Sequence, residues 1–232
     1  CITSFGNSII GLMIKMNESE TAFQRTTGAS QSFSREMTNS YEAVRGNTVS
    51  VDQNQQAWTS LYNSYTDFTM ISPAARQEIG QTVATLAQLG VSADTAAKAM
   101  QTATVALGQT GTQAGKTLIE LEGYARDIGV APAQLIEQYG AMGGSLAKLG
   151  QNGTRAFKDL ARVSKITGIE MQKLLNMTDK FDTFEGAAEQ AGKLNAALGT
   201  NAVNAMDLLM ETDPAARFGM IRDSILDAGL SF

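Results

Sequence analysis

Apolar residues recur every three or four positions through most of the chain, which is the spacing of an α-helix. The clearest series advances by four, three, four and three residues, through Leu135, Tyr139, Met142, Leu146 and Leu149. This spacing places its members on one helix face, so we expect these five residues to form a packing or oligomer seam. No long stretch alternates apolar and polar residues as a half-buried strand would. The pattern therefore predicts an all-α fold.

Proline and glycine mark where the helices begin and end. Two of the three prolines lie in nearly the same phrase, SPAAR at residues 72–76 and DPAAR at residues 213–217. Each phrase puts a capping residue before a proline at the first helical position, where proline needs no N–H partner, so both predict helix starts. Gly90, Gly129 and Gly168 each follow an apolar-periodic stretch and precede a β-branched residue. This pattern predicts helix ends with left-handed backbone.

Two features of the sequence repeat in the same order. The three glycines are evenly spaced, since 129 − 90 = 39 and 168 − 129 = 39. Residues 107–118 also match residues 149–160 at eight of twelve positions. The two signals predict consecutive helical hairpins with a repeat of about 39 residues, solenoid-like in arrangement. Coincidence among common residue types is the alternative.

The first 71 residues differ in composition from the rest of the chain. Their apolar run at residues 9–14, IIGLMI, is far shorter than the ~20 residues that span a bilayer. Beyond it the chain is polar, with aromatic residues at helical spacing, and thin apolar seams do not stabilise helices alone. We therefore expect residues 1–71 to form polar amphipathic helices that dock on a neighbouring chain or are loosely ordered. Residues 72–232 should form an Ala/Gly/Leu-rich helical hairpin module, with the boundary near Ile71–Ser72.

Composition and charge remove several classes of function. The 232 residues include no histidine and one cysteine, which removes histidine-based catalysis, an intrachain disulfide and multi-cysteine zinc sites. A net charge of −5 without a basic cluster argues against a specific nucleic-acid site. The first residue is Cys1 rather than methionine, which favours a piece of a longer polypeptide over a lipid-bearing cysteine.

Two local patterns come close to a binding motif without completing it. Residues 111–117, GTQAGKT, have three residues between their glycines, where a phosphate-binding loop requires four. Asp179, Asp182 and Glu185 are candidate ligands for a cation, although a solvated helix face is the preferred interpretation. We therefore predict no catalytic, cofactor-binding or metal-binding residue, no cofactor, and no enzyme activity.

Three stretches resemble the tail tape measure proteins of tailed bacteriophages. They are residues 86–97 (LAQLGVSADTAA), residues 184–199 (FEGAAEQAGKLNAALG) and residues 206–210 (MDLLM). The resemblance implies a virion structural protein inside the tail tube, which contributes to tail length determination and tail assembly and is released during genome injection. It also implies contacts with the tail tube and with baseplate or tail-tip proteins. The thin seams predict a homo-oligomer, and the resemblance favours a trimer.

Other interpretations stay open beside this one. The recurrent glycines favour a compact folded module over an extended helical rod. A generic α-helical repeat scaffold or adaptor that binds a protein partner fits the same pattern. A membrane-active or wall-degrading domain is the lesser alternative, and residues 9–14 are its best feature. A transient contact with the host membrane belongs to that alternative.

The packing seam can be tested by a single substitution. Leu146→Asp places an unpaired charge among Leu135, Tyr139, Met142 and Leu149. We expect the free energy of unfolding to fall by several kcal/mol, as for other unpaired buried charges. Circular dichroism and the melting temperature measure the change. An unchanged melting temperature would mean that the seam is not buried.

Overall fold

The chain folds into α-helices joined by short turns. The computed structural model describes the backbone of residues 2–229 and the side chains of residues 10–46 and 48–229. This part contains thirteen α-helices and no strand, which confirms the all-α class. Cys1 lies outside the described residues. The chain divides into two compact units, residues 1–143 and 144–232.

Seven helices build the first unit. They are α1 (Ile2–Thr27), α2 (Gln31–Val44), α3 (Val51–Ser64), α4 (Pro73–Gln88), α5 (Ala93–Gln101), α6 (Gly111–Asp127) and α7 (Pro132–Ala141). Short 3-10 turns occupy Arg45–Asn47 and Thr66–Thr69, and a π-helical segment, Thr102–Ala106, extends α5. Helices α3, α4 and α5 lie at the centre, with α1 and α2 packed on one side and α6 and α7 on the other.

Three helices of five to eight residues and three helices of 14 or 15 residues build the second unit. They are α8 (Gly143–Ala147), which begins at the unit boundary, α9 (Gly153–Thr167), α10 (Met171–Thr178), α11 (Phe184–Leu198), α12 (Ala205–Met210) and α13 (Pro214–Asp227). Helices α9, α10 and α13 pack against one another, and α12 packs on α11. A cluster of buried apolar side chains joins α11, α12 and α13, and it includes Ala187, Leu208 and Ile221.

The aromatic stripe of the first 71 residues lies inside the first unit. Trp58 is fully buried, and its ring meets the ring of Phe68 edge to face with centroids 5.3 Å apart. The indole rests on α4 at Gly80, where an added Cβ would overlap it. The observed division between the units therefore differs from the boundary expected near Ile71–Ser72. The polar helices α2 and α3 both pack on α4 of the same chain. The contact between α3 and α4 buries Trp58, whereas Phe33 and Tyr62 are half-buried.

Glycine ends three of the longer helices with left-handed backbone. Gly90 follows α4 with a φ of +86°, and the N–H of Val91 donates to the carbonyl of Leu86 at 3.0 Å. Gly129 after α6 and Gly168 after α9 have φ values of +67° and +72°. In all three places a long helix is followed by a shorter one, α4 by α5, α6 by α7 and α9 by α10. The solenoid-like stacking of these pairs stays a prediction.

The contact between Trp58 and α4 predicts opposite effects for two glycine substitutions. Gly80→Ala should lower the free energy of unfolding by about 1–3 kcal/mol, because the added methyl group displaces the indole ring. Gly123→Ala is the matched control, since an added Cβ in that part of α6 meets nothing within 4 Å. It should raise the free energy by about 0.5–1 kcal/mol through helix propensity.

Urea denaturation followed by circular dichroism measures both variants. Effects of the same sign and size would show that α4 does not need a glycine at the indole.

Candidate interaction surfaces

The predicted seam is shared between two helices instead of lying on one. Leu135, Tyr139, Met142 and Leu146 are buried, whereas Leu149 is half-buried. Helix α7 ends at Ala141, so Met142 falls in a turn, and Leu146 lies on α8. Three glycines among residues 140–144 explain the break, because glycine weakens a helix interior. An oligomer contact through these residues stays a prediction.

Two arginines that were not among the predicted functional residues are buried, one in each unit. Arg76 is the fourth residue of α4, and its guanidinium donates to both carboxylate oxygens of Glu36, at 2.7 and 3.0 Å. The same group donates to the carbonyl of Ile71, just before the helix, and lies 4.4 Å from the ring centroid of Phe33. The guanidinium therefore has acceptors along its edge and an aromatic ring over one face.

Arg217 is arranged in the same way in the second unit. It is the fourth residue of α13, and it donates to Asp182 at 2.7 Å and to the carbonyl of Thr178 at 2.6 Å. Its Nε donates to the carbonyl of Glu211, just before the helix, at 2.9 Å. The shared phrase PAAR thus places an arginine where it binds the turn that leads into its own helix. The recurrence of arginine at the same offset after both prolines was the sequence signal for this role.

A polar groove of about 450 Å³ lies between α5 and α7 in the first unit. Asp94, Lys98 and Glu137 line it, and the Nζ of Lys98 lies 2.8 Å from the carboxylate of Asp94. The hydrogen bond and charge of Asp94 raise the pKa of Lys98, so this lysine stays protonated. Gln101, also in the lining, donates to the hydroxyl of Thr66 at 3.0 Å. Asp94, Lys98 and Gln101 already have partners within the chain.

The second unit carries two grooves, of about 480 and 220 Å³, which both touch Lys148, Leu149 and Thr212. Of the three candidate cation ligands, Asp179, Asp182 and Glu185, the first two have basic partners beside them. Asp179 pairs with Lys148 at 3.4 Å and Asp182 pairs with Arg217, while Glu185 is exposed on α11. Among the residues with described side chains, no group of three or more metal-ligating residues is placed to hold an ion.

The stretch that is similar to a phosphate-binding loop is helical. Residues 111–117 form the first turns of α6, and the hydroxyl of Thr110 accepts from the N–H of Gln113 at 3.3 Å. An added Cβ at Gly111 would overlap the side chain of Ile79 on α4. The glycine therefore serves the close packing of α6 on α4.

Large apolar side chains are exposed on both units. In the first unit they include Ile10, Met13, Ile14, Val105 and Ile119, and in the second Ile166, Phe184, Met206 and Met210. The side chain of Ile9, part of the expected apolar run, lies outside the described residues. Within residues 2–229, no helix has the length and apolar character needed to cross a bilayer. The candidate contact points of this chain lie among these exposed apolar residues.

The buried arginines predict large losses of stability on substitution. Arg76→Met should lower the free energy of unfolding by about 3–5 kcal/mol, because Glu36 and the carbonyl of Ile71 lose their donor. Arg45→Met is the control, since Arg45 pairs with Glu42 at the surface and such pairs contribute about 0–1 kcal/mol. Thermal and urea unfolding measure both variants. Similar small losses for both would mean that the contacts of Arg76 add little.

Comparison with known proteins leaves function to be argued from the chain itself. No family model, no curated protein and no solved structure matches this chain. The resemblance to tape measure proteins therefore rests on residues 86–97, 184–199 and 206–210. In the structure these stretches cover the α4–α5 turn, helix α11 and helix α12.

Proposed function

We propose that this chain is a virion structural element of tape measure type. It lies in the tail tube of a bacteriophage, contributes to tail length determination and tail assembly, and leaves with the genome during injection. Its work is done by shape and contact, without a catalytic residue or a cofactor. Each unit is compact by itself, which supports a folded module of a longer protein over an extended rod.

The observation that carries the proposal is the exposure of large apolar side chains on α11 and α12. Phe184 at the start of α11 is 68% exposed, and Met210 on α12 is 73% exposed. Met206 lies one turn before Met210 on the same short helix and is also exposed. All three lie in stretches that resemble tape measure proteins. Exposed apolar side chains of this size favour burial against another protein.

The proposed partners come from the resemblance, and the exposed apolar residues are the surface proposed to contact them. The chain forms a homo-oligomer, a trimer in preference, and contacts the tail tube and baseplate or tail-tip proteins. The three helix pairs joined at Gly90, Gly129 and Gly168 form a repeat of about 39 residues in this proposal. Stacked helix pairs would give such a module a rigid surface for these contacts.

A scaffold or adaptor is the second candidate function. The groove between α5 and α7 favours it, because Asp94, Lys98 and Glu137 give the groove a charged lining beside which a peptide could lie. A parent chain of many hundreds of residues with long coiled-coil stretches would favour the tape measure role over the adaptor role.

Copy counting in purified particles tests the proposed function. We expect quantitative peptide mass spectrometry to find this chain at a fixed number of copies in tailed particles that carry its gene. The chain should be depleted from particles that have released their DNA. Presence in infected cells without presence in the particles would overturn the virion role.

Substitution of the exposed apolar residues refines that experiment. Phe184→Ser with Met210→Ser should lower the number of copies per particle severalfold, because the contact surface loses its apolar side chains. Ile166→Ser is the matched control, since Ile166 is as exposed but lies on α9, outside the resembling stretches. Equal incorporation of both variants would remove these residues from the contact surface.

A further inference from the structure

Helix α1 is longer than the helices that pack against it. It contains 26 residues, whereas α2 and α3 contain 14 each. At about 1.5 Å per residue, α1 is about 39 Å long and each of the other two about 21 Å. Phe23 and Ser19 in its C-terminal half are buried. The N-terminal half extends beyond the length that α2 or α3 alone can cover.

The described part of that half carries a second apolar face. Met13 and Ile14 lie three and four residues after Ile10, so the three side chains share one face of the helix and form one stripe. These three residues, the α1 stripe, are 57%, 65% and 53% exposed. At 3.6 residues per turn, the stripe lies roughly opposite the face of Ser19 and Phe23. The helices that bury Phe23 therefore do not cover the α1 stripe.

We propose that the α1 stripe packs on the α1 stripe of each neighbouring copy of this chain in the homo-oligomer. The inference deepens the proposed homo-oligomer and rests on it, but it does not require the virion role. A symmetric contact needs a surface that is complementary to itself. A purely apolar stripe meets this requirement, because it needs no opposite charge on the other copy. An apolar stripe that is exposed in its own chain also gains stability when such a contact buries it.

Charge favours a second copy over a lipid surface. Residues 2–14 contain no charged side chain, so two copies can align there without like-charge repulsion despite a net charge of −5 each. A helix that lies on a membrane carries Lys and Arg along its polar face. In α1 the first basic residue is Lys15, and Glu18 and Glu20 follow it.

The size of the stripe sets the strength that we expect. Three partly exposed side chains offer less than the roughly 800 Å² per partner of a standard stable interface. Association should therefore depend on concentration, with a dissociation constant of about 10–100 μM.

Sedimentation velocity of the purified 232-residue chain, at concentrations from below to above that range, tests the proposal. The wild type should shift from the 24.6 kDa monomer to an oligomer as concentration rises. Ile10→Lys with Ile14→Lys should weaken association at least tenfold. Ile119→Lys is the matched control, because Ile119 and Ile14 are both 53% exposed on helices, and it should associate like the wild type. Circular dichroism checks that each variant keeps its helix content.

Three results would overturn the proposal. They are a wild type that stays monomeric throughout, a double variant that associates like the wild type, and an Ile119→Lys control that loses association equally. Flotation with uncharged phosphatidylcholine vesicles tests whether the α1 stripe binds a lipid surface instead of another copy of the chain. A monomeric wild type that binds these vesicles through Ile10 and Ile14 would assign the stripe to lipid. A chain that does not self-associate can still be present at a fixed copy number in particles. The stripe contact and the virion role can therefore fail separately.

Discussion

The need to satisfy backbone groups at helix ends governs this structure more than any other constraint. Each helix leaves four N–H groups at its start and four carbonyls at its end without an intrahelical partner. Serine, threonine, asparagine and aspartate side chains accept from the first N–H groups of α3, α4, α5, α6, α11, α12 and α13. Because the chain changes direction so often, the quality of these ends decides whether the helices can pack.

The two buried arginines extend the same logic from helix ends to the turns between helices. Arg76 and Arg217 each bind a carbonyl of the turn before their own helix and a carboxylate from a segment distant in sequence. One side chain thereby fixes the entry angle of a helix and ties that helix to a neighbour. Both compact units depend on one such group, although the rest of their cores differ.

Local signals made much of the fold readable from the sequence. The helix starts at Pro73 and Pro214 and the glycines at the helix ends depend on residues within one turn, so the spacing of apolar residues and a few caps suffice. Contacts between distant residues could not be read in this way. The hydroxyl of Thr102 at the start of the π-helical segment donates to the carbonyl of Gly140 at 2.9 Å, 38 residues away. The unit boundary and the divided seam likewise depend on which helices pack together. The sequence shows that residues 9–14 of the candidate contact surface are apolar. Only the packing of α1 shows which face of this helix is covered and which is exposed.

The position of Trp58 makes the two units distinguishable by spectroscopy. It is the only tryptophan in the chain, and it lies deep in the first unit against α4. Intrinsic fluorescence excited at the indole band therefore reports on the first unit alone, while the far-ultraviolet signal sums the helices of both. The separation or coincidence of the two transitions would measure how strongly one unit stabilises the other.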